Sequence, residues 1–216
     1  MGILPYGPFD GFYNKVGNLV GKRDKGRFLL SGRPRLTDAT STPELLSAQT
    51  KFLMLSSFLN KISAVVILGF KKRAKKMRPV HAAYRYNYSH AFISGENMVA
   101  LDYSKIIYSK GDLLKPCGAT AVLEPDASGI VFSWLSTPES LYNQDTDLAS
   151  FMIYDSKNDV VYKELNVVKR ADLGYNLKLR LRADAELECY MHFTAADGKL
   201  RSDSQHIAKL IASSGA

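Results

Sequence analysis

Six cations fall within eight residues in Lys71-Lys72-Arg73-Ala74-Lys75-Lys76-Met77-Arg78, the densest chemistry-bearing run of the chain. Cations at that density do phosphate chemistry: they neutralise a polyanion and release its counterions. Lys22, Arg23, Lys25, Arg27, Arg33 and Arg35 add to the same basic half. A solvated helix end whose cations complement the dipole is the plainer reading of the 71–78 run, and the two readings stand at even weight. Tyr84, Tyr86, Tyr88 and His90 follow at every second residue, near the cations but not interleaved with them. Aromatics beside cations serve as stacking platforms for single strands, and more often as core or interface residues.

Catalytic patterns are missing from the sequence. His81, His90, His192 and His206 occur without HExxH, and Cys117 and Cys189 without a CxxC pair. Cys189 and His192 are three apart, on opposite faces if the segment is a strand. Asp184, Glu186 and Glu188 alternate along one side of a segment, the pattern of a solvated face rather than a metal cage. Gly17 to Gly21 has neither GxGxxG nor GxxxxGK[ST] around it. No enzyme, no cofactor, no metal and no small-molecule substrate is expected.

Two kinds of element must position these residues. Residues 16–20 and 27–30 flank Lys22-Arg23-Asp24-Lys25-Gly26, a hairpin with Gly26 at positive φ. Thr42-Pro43-Glu44 starts a helix over 43–69, whose apolar face is Leu45, Ala48, Phe52, Leu55, Leu59, Ile62 and Val66. Leu46, Leu53, Met54, Phe58 and Val65 widen that face, which predicts burial on more than one side. Phe52, Leu55, Phe58, Leu59 and Ile62 are the residues expected to mediate self-association. A second helix is predicted over 80–92 and strands over 98–103 and 105–108. The most apolar run, 62–70, is far short of the ~20 residues that span a bilayer, so no membrane span is expected. The first residues carry no basic and apolar leader pattern, and the expected location is the cytoplasm, or an assembly released from it.

From residue 119 the pattern becomes that of short strands, over 119–123, 130–135, 149–154, 160–165, 176–182, 188–194 and 205–211, with turn residues between them. Asn176-Leu177-Lys178-Leu179-Arg180-Leu181-Arg182 alternates without fault. Trp134, Leu177 to Leu181 and Tyr190-x-x-Phe193-x-Ala195-Ala196-Asp197-Gly198 resemble the core pattern of fibronectin type III domains. That resemblance implies an adhesion or spacer module, with Tyr190 in a role like the tyrosine corner. Over nearly its whole length the chain also resembles an uncharacterised family of soluble basic proteins of the Bacteroidota. The residues that carry this are Gly11 with Lys15-Val16-Gly17-Asn18-Leu19-Val20-Gly21, Gln49, Phe52, Gly69-Phe70, Asn87, Asp102-Tyr103-Ser104-Lys105, Ser109-Lys110-Gly111, Trp134, Asp197-Gly198-Lys199, Ser202 and Ser204.

Charge divides where the pattern changes. Residues 1–115 hold 19 Lys and Arg against 7 Asp and Glu, net +12, and residues 117–216 hold 10 against 14, net −4. The expected fold is α+β: a basic N-terminal domain over 1–116, with a β-hairpin, a long helix and a second helix, then an immunoglobulin or fibronectin-III-like antiparallel β-sandwich over 117–216. The leading functional expectation is a non-enzymatic structural protein that self-associates into a filament, a layer or a virion-like component. Binding of nucleic acid by the basic half is the alternative.

Overall fold

The computed structural model describes residues 2–3, 12–24, 26–34, 42–72, 77–94, 99–125, 128–182 and 184–212. Two compact units emerge, Met1–Thr42 and Pro43–Ala216. In the first, β1 (Gly2–Ile3), β2 (Asn14–Val16), β3 (Leu19–Asp24) and β4 (Arg27–Gly32) form an antiparallel sheet in the order β1-β4-β3-β2. The expected hairpin is present, with Gly26 at φ +79 and Asp24 opposite Arg27. Its first strand is displaced, because Gly17 and Asn18 form a turn of their own between β2 and β3.

The second unit opens with three helices, α1 (Pro43–Lys61), α2 (Ser63–Gly69) and α3 (Pro79–Asn87). The single helix expected over 43–69 is not formed: the axis turns by 85° between α1 and α2. Ile62 is the joint, where its N–H still donates to Phe58 while its carbonyl accepts from both Val65 and Val66. Leu55, Phe58, Leu59 and Ile62 share one core with Val65, Val66 and Phe70, so the bend returns the second stretch to the core that the first one covers. No single helix among the described residues is long and apolar enough to cross a membrane.

The second predicted helix is also shorter, ending at Asn87 rather than 92. Phe92 instead begins β5 (Phe92–Ser94), paired with β6 (Val99–Leu101). Asn87 explains the stop. Fully buried, it donates from Nδ2 to the carbonyls of Ala83 and Ile107 and accepts at Oδ1 from the Ile107 N–H, tying the helix end to the next segment. Residues 103–105 form a 3₁₀ turn capped by Asp102, where a strand was expected, and no strand forms over 105–108.

Seven strands follow: β7 (Thr120–Leu123), β8 (Gly129–Ser133), β9 (Leu148–Asp155), β10 (Val160–Lys169), β11 (Gly174–Lys178), β12 (Glu186–Thr194) and β13 (Gln205–Ile211). All seven match the expected positions, although β11 ends at Lys178 and leaves 179–182 outside the ladder. They make two antiparallel sheets, β11-β8-β7 and β10-β9-β12-β13. Ile130, Phe132 and Trp134 from the first interlock with Phe151, Ile153, Met191 and Phe193 from the second, the Phe132 and Phe151 rings 4.5 Å apart.

The larger sheet is covered on both sides. Met152, Tyr154 and Tyr190 point the other way and join the helical core, so β9 and β12 are buried along almost their entire length. Their sequences, LASFMIYD and ELECYMHFT, accordingly approach continuous apolar runs instead of alternating. Trp134, Leu179 and Tyr190 were expected in one core; Trp134 is buried there with Leu179 half-buried against it, but Tyr190 belongs to the other. Its hydroxyl donates to the Tyr103 carbonyl, 87 residues upstream, so it fastens the helical layer to the sheet and does not form a corner within the sheets. A boundary expected at 116/117 meets a division at 42/43, with α1 to α3 packed on strands that lie beyond residue 117.

Candidate functional site

The basic residues named from sequence fall into both units. Lys22, Arg23, Arg27 and Arg33 are exposed in the first. On β3 and β4, Lys22 and Arg27 share a face with Asp24 between them, whereas Arg23 lies on the other face, its guanidinium 5.5 Å from the Phe28 ring. Among the described residues the hairpin cations therefore form no single-sided patch. In the second unit Lys71 and Lys72 are exposed just past α2, and Arg78 is exposed and extended before Pro79. Lys25, Arg35, Arg73, Lys75 and Lys76 lie outside the described residues.

Of the five residues expected to self-associate, Leu55, Phe58, Leu59 and Ile62 are core residues with at most 3% exposure. They hold α1 on the sheet and are not available to a partner. Phe52 alone remains exposed, at 52%, with its ring edge-on to Tyr84. The apolar stripe is covered only from Leu55 onward: Leu45, Leu46, Leu53 and Met54 stay exposed on the first half of the helix.

Around α3 the four aromatics separate by helical period. Tyr84 and Tyr88 pair on the side of Phe52 and Phe92, and Tyr86 and His90 pair on another. The every-second-residue spacing thus resolves into two i,i+4 pairs. Beside Tyr86 an open groove of about 510 Å³ is lined by Phe70, Met77, Arg85, Tyr86, His90 and Lys110 among others. The Lys110 ammonium sits 5.0 Å from the Tyr86 ring centre and 2.6 Å from Asp203. Neither Arg85 nor Lys110 is among the phosphate-binding cations expected from the sequence, where Lys110 stands only in Ser109-Lys110-Gly111. The i,i+4 spacing of Tyr86 and His90 beside Arg85 was the available signal.

Lys110 belongs to a clasp between residues 108–113 and 201–204. The Tyr108 N–H donates to Ser204 Oγ, Ser109 Oγ to the Ser202 carbonyl, the Gly111 N–H to Asp203 and the Leu113 N–H to the Arg201 carbonyl. A Cβ on Gly111 would run into the Arg201 carbonyl, which explains the glycine. Behind the clasp Tyr108 Oη lies 3.0 Å from His192 Nδ1, both buried. Burial pushes the His192 imidazole down to about 3, with the nearby Arg201 charge acting in the same direction.

Among the described residues Cys189 and His192 do not form a nucleophile–base pair. Cys189 packs into the core between the sheets while His192, three residues on, faces the helical side. Asp184 is paired with Lys157, Glu186 with Lys209, and Glu188 with His206 at 2.7 Å. Among the described residues no three His, Cys, Asp or Glu side chains gather as a cation site. Burial pushes the Cys189 thiol up to about 12, and Cys117 is exposed. A thiol reagent at pH 8 should therefore label one cysteine per native chain, Cys117, and two after denaturation, since the thiolate is the reacting form. Rapid labelling of Cys189 in the native protein would show that the core opens readily.

The model of a family of unknown function, DUF6266, matches residues 11–208. The chain belongs to DUF6266. No curated protein and no solved structure matches the chain. Several residues that carry the resemblance to an uncharacterised family turn out to hold this DUF6266 chain together. Asn87 ties α3 to residue 107, Asp102 caps the following turn, Ser109 to Gly111 meet Ser202 to Ser204 in the clasp, and Trp134 Nε1 donates to the Arg170 carbonyl at 2.8 Å.

Proposed function

We propose that this protein is a non-enzymatic interaction protein that self-associates through the uncovered half of α1. The observation that carries this is the exposure of Leu45, Leu46, Phe52, Leu53 and Met54 on the helix whose Leu55, Phe58 and Leu59 lie in the core. Large apolar side chains exposed together on one helix mark contact sites. A second copy is the partner favoured by charge, because the basic residues 1–115 and the acidic residues 117–216 suit head-to-tail contact between copies. The seven C-terminal strands support a module of fibronectin type III kind. The first, second and fifth make one sheet and the third, fourth, sixth and seventh the other, with a buried tryptophan between them. Such modules present surfaces to partners and do not catalyse.

Light scattering on nuclease-treated protein tests the reading. The parent should be larger than a 24.0 kDa monomer, and Leu46→Glu with Leu53→Glu should bring it to that mass without loss of fold, as both side chains are exposed. A parent that stays monomeric at every concentration overturns self-association. Loss of the large species on nuclease treatment alone assigns it to bound nucleic acid.

A further inference from the structure

We propose that the groove beside α3 binds single-stranded nucleic acid, with a base on Tyr86 and the neighbouring phosphates on Arg85 and Lys110. This site does not rest on self-association and lies on α3, not on the exposed half of α1. The groove is open and, at about 510 Å³, within the range of ligand sites. Among the described residues no carboxylate lines it. Arg85 is exposed and makes no ion pair among the described residues, which leaves its guanidinium free for a phosphate. Lys110 is shared with Asp203, so Arg85 is the stronger contact of the two.

Tyr86 supplies what a simple basic patch lacks. Tyr86 is 37% exposed, and its ring is steadied by His90, edge-on at 5.3 Å, and by Phe70 at 6.2 Å. An ordered, half-exposed aromatic beside cations is the stacking platform that single strands use, because every base offers a π face once unpaired. A duplex offers none along its length, and this selects the single strand. Although no aromatic interrupts the 71–78 run in sequence, the fold brings Phe70 and Tyr86 next to its described ends: Met77 lines the groove, Lys71 directly follows Phe70, and Arg78 directly precedes α3.

Fluorescence anisotropy with a labelled oligothymidine of about 15 nucleotides tests the site. To keep assembly out of the measurement, the titration is repeated in the Leu46→Glu, Leu53→Glu background. The expected result is binding at low ionic strength that weakens with a log–log salt slope of about −0.7 per phosphate contact. Tyr86→Ala should weaken it roughly tenfold and Tyr86→Phe should leave it unchanged, since the ring stacks without its hydroxyl. Arg85→Gln should reduce the slope by about 0.7. Against heparin, which has no bases, Tyr86→Ala should have no effect. The proposal fails if no binding occurs at the lowest salt, or if Tyr86→Ala and Arg85→Gln both bind like the parent. It also fails if a blunt duplex of equal charge binds as tightly as the single strand. Arg85→Gln, an exposed change, keeps the test decisive should Tyr86→Ala not fold.

Discussion

Arg170→Ala is expected to lower the unfolding free energy of the second unit by about 3–5 kcal/mol, the cost of leaving a buried charge without its partner. Arg170 and Asp147 are 4% and 2% exposed, 3.2 Å apart, and among the few buried charges in the described residues. Arg170 also donates to the Leu114 carbonyl at 2.9 Å and lies 3.7 Å from the centre of the Phe193 ring. Its own carbonyl accepts from Trp134. One side chain thus joins the loop at 114, the turn at 147 and the core between the sheets. After truncation the Asp147 carboxylate would keep only its bond from the Gln144 N–H, in a site closed to water. Urea unfolding measures the effect, and the melting temperature should fall on the order of 10 °C. Arg170→Met combined with Asp147→Asn should recover at least half of the loss, because the uncompensated charge is removed while an acceptor for Gln144 remains. A single variant as stable as the parent would show that water reaches the pair.

The second large effect is acid sensitivity set by His192. In the unfolded chain its imidazole titrates near the usual ~6.5, and in the folded protein burial holds it down to about 3. Between those values the unfolded state binds a proton that the folded state refuses. Stability is therefore complete above ~6.5 and falls as pH drops toward 3, by about 1.4 kcal/mol per pH unit once below the unfolded value. From pH 7 to 4.5 that amounts to ~2–3 kcal/mol. Its hydrogen-bond partner Tyr108 is itself pushed above the normal phenol range by burial and remains neutral throughout. His192→Gln keeps a polar group facing Tyr108 and cannot take up the proton. It should show a pH dependence shallower by that amount in denaturant titrations at the two pH values. Equal slopes in parent and variant would mean that His192 is charged in the folded protein.

Strand positions were legible because the C-terminal half follows a local rule. Leu177 inside and Lys178 outside, Asp159 at a turn, and the runs at 148–155 and 186–194 all declare themselves within a few residues. The bend at Ile62 was not legible. Leu55, Leu59, Ile62 and Val66 keep helical spacing straight through it, since both helices face one core, and no glycine or proline marks the joint. The third layer was half legible. A strand such as ELECYMHFT, apolar on both faces, needs covers on both faces, yet nothing local says that α1 supplies the second. The groove at Tyr86 depends on Lys110 arriving from another segment, a placement fixed by the clasp with residues 201–204, about ninety positions away.

That clasp makes the protein late to finish during synthesis. Leu55, Phe58, Leu59 and Ile62 emerge from the ribosome well before Tyr190, and the strand that covers them on the sheet is completed only when residue 194 is out. The clasp closes later still, at 201–204. At about 5–20 residues per second the helical layer waits on the order of ten seconds with its apolar face open. A nascent chain of this kind offers chaperones a defined window, and the same half of α1 that remains uncovered in the finished protein is then continuous with the half destined for the core.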